Sequence, residues 1–181
     1  QLRTPYGAPS AEIAIGTVAD RRVAFLPRHG STHSLPPHRV SFQANVWALH
    51  SLGVTQVIGP CAVGSLRPDL APGDIVVPDQ IVDRTWGRPD TFWDGGPVNH
   101  LTFADPYTES LREVLVEAAR AEHDAARVHD KGTVVVIQGP RFSTRAASRV
   151  FRSRRWDVCN RTQQPEARLV PAPQGAHRAP P

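Results

Sequence analysis

The sequence predicts an α/β protein with a central mixed β-sheet flanked by helices. Three observations carry that expectation. Apolar runs bounded by Gly, Pro and Asp alternate with stretches of helical period, a pattern that favours a parallel or mixed sheet covered by helices. At 181 residues, 40% of them apolar, the chain is long enough to bury one core. Polar and small residues gather where apolar runs end, and ligands of open α/β sheets bind beyond the carboxyl ends of strands.

Taken in order, strands are expected over residues 11–18, 21–27, 55–61, 74–83, 133–139 and 156–160, each apolar or alternating and closed by turn residues. Phe42, Val46 and Leu49 recur at steps of four and three and predict a first helix. Leu111, Val114, Leu115, Ala118 and Ala119 predict a second, with Ser110 and Glu113 spaced as a capping box. A third runs from Ser143 to Arg154, with Ala146, Val150 and Phe151 on one side. Residues 86–100 read as a long ordered loop, because Trp86, Phe92 and Trp93 are costly to leave in water. Residues 168–181, rich in Pro, Ala, Gly and polar types, read as a disordered or aberrant tail after a domain over 1–167.

The net charge of +4 is unevenly placed. From Arg149 onward seven Arg face only Asp157 and Glu166, whereas residues 1–148 carry 14 basic and 15 acidic groups. The basicity belongs to one end and lacks interleaved aromatics, so no nucleic-acid partner is expected. No apolar run approaches the roughly 20 residues of a membrane span, and no signal-like N-terminus is visible, so a soluble cytoplasmic protein with no membrane partner is expected. Cys61 and Cys159 are too few for a disulfide framework and read as thiols. The histidines lack metal-ligand spacing, so no metal is expected.

Three stretches carry candidate chemistry. In "LPRHGSTH" an apolar run ends in Arg28, His29 and Gly30, with His33 close behind. A guanidinium fork suits phosphate or carboxylate, and an imidazole adds a donor; a surface ion pair beside a turn glycine would read the same way. In "CAVGSLRPDL" small residues would let backbone N–H groups approach an anion, or would serve only a tight connection. In "QGPRFSTR" Phe142 could stack on a flat ring, while Ser143 or Thr144 could meet a ligand or cap a helix.

Read together, "RHGSTH", "QANVWAL", "GPCAVGSLR", "PGDIVVPDQIVDRT", "FADPY", "GTVVVIQGPRFSTRAAS" and "NRTQQPEA" resemble the trimeric 5′-methylthioadenosine phosphorylase and purine nucleoside phosphorylase family, nearest its methylthioadenosine branch. The resemblance runs from about Thr4 to about Arg168. It implies a nucleoside phosphorylase-like sheet, a homotrimer, and cleavage of a purine nucleoside by inorganic phosphate as co-substrate, with no other cofactor. Methylthioadenosine is the favoured substrate, giving adenine and 5-methylthioribose-1-phosphate; another purine nucleoside or methylthioinosine, or a silent relative that only binds, are the alternatives.

The same resemblance assigns Arg28, His29, Cys61, Ala62 and Thr162 to phosphate. It assigns Phe142, Ser143 and Arg161 to the sugar and base, and His100 to a neighbouring subunit's 5′ pocket. No catalytic residue is carried over. The family's glycine-rich phosphate loop and its later Asp-bearing segment find no match in the sequence, so the domain reads as incomplete and poor turnover is expected. Arg161 stands where the family has Met, and Gln138 and Ala147 where it has Glu.

Overall fold

A computed structural model describes residues 2–95 and 99–171. Contacts gather the chain into two compact units: one takes in residues up to Gly59, Gly87–Leu101 and the chain from Pro165, the other Pro60–Trp86 and Thr102–Gln164.

In the first unit β1 (Ala14–Val18) and β2 (Arg21–Phe25) form an antiparallel hairpin with Ala14 opposite Phe25. Ala19 and Asp20 turn it with φ of 46° and 61°, the left-handed pair that matches strand twist in a two-residue hairpin. Helix α1 (Phe42–Ser51) forms where expected and buries Phe42, Ala44, Asn45, Val46 and Ala48, while Leu49 of the expected stripe is only partly buried. Asn45 is satisfied by Ser10, accepting from its amide at 2.7 Å and donating to its hydroxyl at 2.9 Å. Val40, Phe42, Val46, Phe92 and Leu169 form the core, with Tyr6, Trp47 and Trp93 packed against it.

Leu169 was expected in the tail, yet it is fully buried in this core; residues 172–181 lie outside the described residues. Residues 54–63 contain no strand, and Val57 and Ile58 are exposed. An apolar run supplies side chains for a sheet face, but a strand also needs a neighbour to accept its hydrogen bonds. Of the aromatics expected to order residues 86–100, Phe92 and Trp93 pack while Trp86 is exposed.

In the second unit the strands are β3 (Gly64–Ser65), β4 (Ile75–Val76), β5 (Gln80–Arg84), β6 (Val128–His129), β7 (Thr133–Ile137) and β8 (Val158–Asn160). The main sheet has the order β3-β8-β7-β5; β5, β7 and β8 are parallel and β3 is antiparallel to β8, so the sheet is mixed as expected. Strand β4 pairs in parallel with β6. The single run expected over 74–83 is split, and Pro78 stands in the gap, having no N–H to donate to a ladder. Val134, Val135 and Val136 are at most 1% exposed, which is why β7 reads as an unbroken apolar run.

Helix α2 (Glu109–Glu122) follows Thr108, so Ser110 lies inside it and the expected capping box does not form. Its one buried side chain is Arg112, whose guanidinium bonds the Pro78 carbonyl at 2.9 Å and also meets the Asp130 carbonyl and Glu109. Helix α3 (Arg145–Ser153) packs Phe151 against Leu66, Val135 and Ile137. Thr144 caps α3, its side chain accepting from the Ala147 amide at 3.1 Å. Helix α4 (Gln163–Leu169) is interrupted at Gln164 (φ −110°, ψ 134°), where the chain passes from the second unit to the first. Pro165 follows, and a residue before proline is pushed out of the helical region.

Candidate active site

In the first unit the loop after β2 folds on itself. The Gly30 amide bonds the Pro27 carbonyl at 3.0 Å, and the Leu35 amide the His29 carbonyl at 2.9 Å. Gly30 has φ +82°, a conformation that costs glycine little and other residues more. The His29 Nδ1 lies 2.8 Å from the Leu35 carbonyl. A carbonyl only accepts, so Nδ1 carries the proton and Nε2 is the nitrogen left for other partners. The rings of His29 and His33 stack with centroids 4.6 Å apart.

Arg28 is turned inward: its Nη1 stands 3.0 Å from Glu166 Oε2, with side chains 16% and 20% exposed. A Cβ at Gly59 would lie 3.1 Å from Arg28 Nη2 and 3.7 Å from Glu166 Oε2. Glycine at 59 is what leaves the guanidinium room. Burial lifts the Glu166 carboxyl to about 7, against the attraction of Arg28 and Arg88. The sequence reading missed Glu166 and Gly59. A usable signal was present, since Glu166 is one of only two acids after Arg149.

In the second unit the carboxyl ends of β5, β7 and β8 open on one edge of the sheet. Gly64 of β3 opposes Cys159 of β8, so Cys61 and Ala62, which lead into β3, reach that same edge. Asn160 donates to Cys61 Sγ at 3.2 Å, and Asn160 and Thr162 are 4% and 6% exposed. The Asn160 Oδ1 is buried with no hydrogen-bond partner among the described residues. Burial also pushes the Tyr107 phenol up; its hydroxyl lies 3.2 Å from Gln163 Oε1.

The loops after β7 and β8 bring Phe142 and Arg161 together. The Arg161 guanidinium carbon stands 4.4 Å over the Phe142 ring while Nη1 bonds the Pro140 carbonyl at 2.7 Å, a cation–π arrangement. Phe142 is otherwise 76% exposed. Ser143 shares a 2.8 Å hydrogen bond with Ser148. Thus Cys61, Ala62, Phe142, Ser143, Arg161 and Thr162 belong to one sheet edge of the second unit. Arg28 and His29 belong to the first unit, as does His100, which is exposed. Among the described residues no group of three or more His, Cys, Asp and Glu is arranged to hold a metal ion, and no helix is long and apolar enough to cross a membrane.

Comparison with known proteins is decisive for the family. Residues 1–169 match the model of the Phosphorylase superfamily. The chain is 58% identical over 169 residues to S-methyl-5′-thioadenosine phosphorylase of Mycolicibacterium smegmatis, covering 93% of this chain and 62% of that relative. It is 52% identical over 178 residues to purine nucleoside phosphorylase of Streptomyces coelicolor, covering 94% and 63%. A solved structure of methylthioadenosine phosphorylase from Schistosoma mansoni in complex with adenine superposes with a TM-score of 0.89 at 41% identity, covering 94% of this chain and 65% of that one. The chain therefore spans somewhat under two thirds of the length of these relatives. With its mixed sheet, its strand-end loops and a match running from residue 1 to residue 169, the chain belongs to the Phosphorylase superfamily.

Proposed function

We propose that this chain serves the phosphorolysis of a purine nucleoside, with 5′-methylthioadenosine as the favoured substrate. The observation that carries the reading is the 58% identity to a methylthioadenosine phosphorylase across 93% of the chain, a span that contains every residue assigned to the site. In this reaction a phosphate oxygen bonds to the anomeric carbon as the bond from that carbon to the purine nitrogen breaks. The bonding pair leaves with the purine, which takes up a proton, and the sugar leaves as its 1-phosphate. Holding the anion against a cation-like ribosyl centre supplies both proximity and charge stabilisation.

In this reading Arg28, His29, Cys61, Ala62 and Thr162 hold phosphate, and Phe142, Ser143, Arg161 and His100 serve the nucleoside. The inward guanidinium of Arg28 and the buried Thr162 support the first assignment. The unpaired Asn160 Oδ1 supports the second, since an orphaned buried acceptor suits a ribose hydroxyl. Inorganic phosphate is the co-substrate and no other cofactor takes part. The assembly is a homotrimer in the cytoplasm.

Titration calorimetry with phosphate and with methylthioadenosine, beside an assay of purine release, tests the proposal. Saturable binding of both is expected, and absence of binding to either sinks it. Phosphate-dependent adenine release separates the enzyme from a silent relative. Preferential release of hypoxanthine from inosine would instead align the chain with the Streptomyces coelicolor relative.

A further inference from the structure

We propose that Glu166 is the positioning residue of Arg28 and that it takes up a proton when an anion binds to that guanidinium. The inference rests on the reading of Arg28 as a phosphate ligand. Its geometry comes from the first unit alone. The carboxylate holds Nη1 at 3.0 Å, while Gly59 lies against Nη2 closely enough that even a Cβ there would crowd it. Leu169, three residues on, is fully buried and anchors α4 in the core, so the carboxylate is fixed rather than carried on a loose end.

An arginine paired with a carboxylate presents little net charge to an incoming anion. Protonating the carboxyl restores the full positive charge of the guanidinium while leaving an O–H and a carbonyl to keep hydrogen bonds in place. Burial already brings the carboxyl to about 7, and an anion brought near it raises its proton affinity further. The charged groups that act on Glu166 are Arg28 from the loop after β2 and Arg88 from the second stretch of the unit. Arg168, on α4 itself, is occupied with Asp90. The imidazoles of His29 and His33 belong to the same loop as Arg28.

Sulfate is the clean probe because its charge is constant over the range that matters, with phosphate as the second titrant. Calorimetry in buffers of different ionisation enthalpy counts protons. The wild-type chain is expected to take up a fraction of one proton at about pH 8, and its sulfate affinity to fall about tenfold from about pH 6 to about pH 8. Glu166→Gln, which resembles the protonated form, is expected to lose both the uptake and the pH dependence and to bind at least as tightly as wild type at about pH 8. A pH dependence that survives Glu166→Gln belongs to the imidazoles and overturns the inference, as does wild-type binding without proton uptake. If Glu166→Gln fails to fold by circular dichroism, infrared difference spectra of the wild type decide: a protonated-carboxyl band that appears with sulfate supports the inference, and proton uptake without that band overturns it. Arg28→Ala separates the two layers. Unchanged phosphate affinity there removes the anion reading itself, whereas lost affinity combined with a pH-independent wild type removes only the role of Glu166.

Discussion

Two carboxylates, one in each unit, face an arginine and are pushed in opposite directions. Asp74 accepts from the Ala71 amide at 3.0 Å, from Arg127 Nε at 2.9 Å and from His129 Nε2 at 3.1 Å, and is held at about 2. Glu166 has Arg28 at 3.0 Å, yet burial lifts it to about 7. What separates them is the number of donors aimed at the oxygens, set against the loss of water, rather than the nearness of an arginine. A carboxylate met by three donors is locked in its ionised form. One met by a single guanidinium, with too few donors to offset the loss of water, can change its protonation when its surroundings change.

The largest expected effect comes from deleting the arginines. Arg28→Ala leaves a largely buried carboxylate without its partner and should cost about 3 kcal/mol of stability at about pH 8. At about pH 5 the loss should be much smaller, because Glu166 is then protonated and needs no counter-charge. Arg127→Ala removes a half-exposed guanidinium from a carboxylate that keeps two donors, so its effect should be slight at both pH values. Urea unfolding of the two variants measures this. Equal losses, or an Arg28→Ala loss independent of pH, would break the contrast.

The next effect is the pH dependence of each region in the unaltered chain. Glu166 binds its proton more tightly folded than unfolded, so its contribution is complete below about 4.5 and is lost as pH rises through about 7. Asp74 behaves in the opposite sense: its contribution is complete above about 3.8 and is lost as pH falls through about 2. Hydrogen exchange, corrected for intrinsic rates, resolves the regions. Protection at the Val170 amide, which bonds the Glu166 carbonyl, should weaken from about 4.5 toward 7. Protection at the Val77 amide, bonded to the His129 carbonyl, should weaken only in strong acid. Slopes of the same sign in both regions would refute the assignment.

The same contrast explains what could be read from the sequence. Strand β7 was legible because burial on both faces demands Val134, Val135 and Val136 in a row, and α1 because Phe42 and Val46, both buried, recur at a helical step. Residues 55–61 carry a similar run without a strand, since composition does not name the neighbour that must pair with it. Leu169 was hidden by the polar and Pro-rich residues that follow it; a single anchor makes no periodic signal. Among the candidate residues, Arg28, Phe142 and Arg161 stand out in the sequence by chemistry and position. Glu166 does not, because its weight comes from where it is buried, and only its rarity in a basic stretch marks it.

The smallest test carries the distinction between an acceptor that is met and one that is merely near down to helix caps. Thr144 and Thr108 occupy the same position before α3 and α2, and both have extended backbone angles. Thr144 accepts from the Ala147 amide at 3.1 Å, whereas the Thr108 side chain makes no capping bond. An N-terminal amide of a helix has no partner within the helix, so a side-chain acceptor there replaces water with a bond held in place. Thr144→Ala should therefore cost about 1 kcal/mol and Thr108→Ala only a few tenths, measured as shifts in the urea midpoint at constant slope. Should the two variants shift the midpoint equally, residue type rather than the completed hydrogen bond would be setting the stability of these helix starts. Completed donor bonds would then be a weaker account of why Asp74 and Glu166 differ in state.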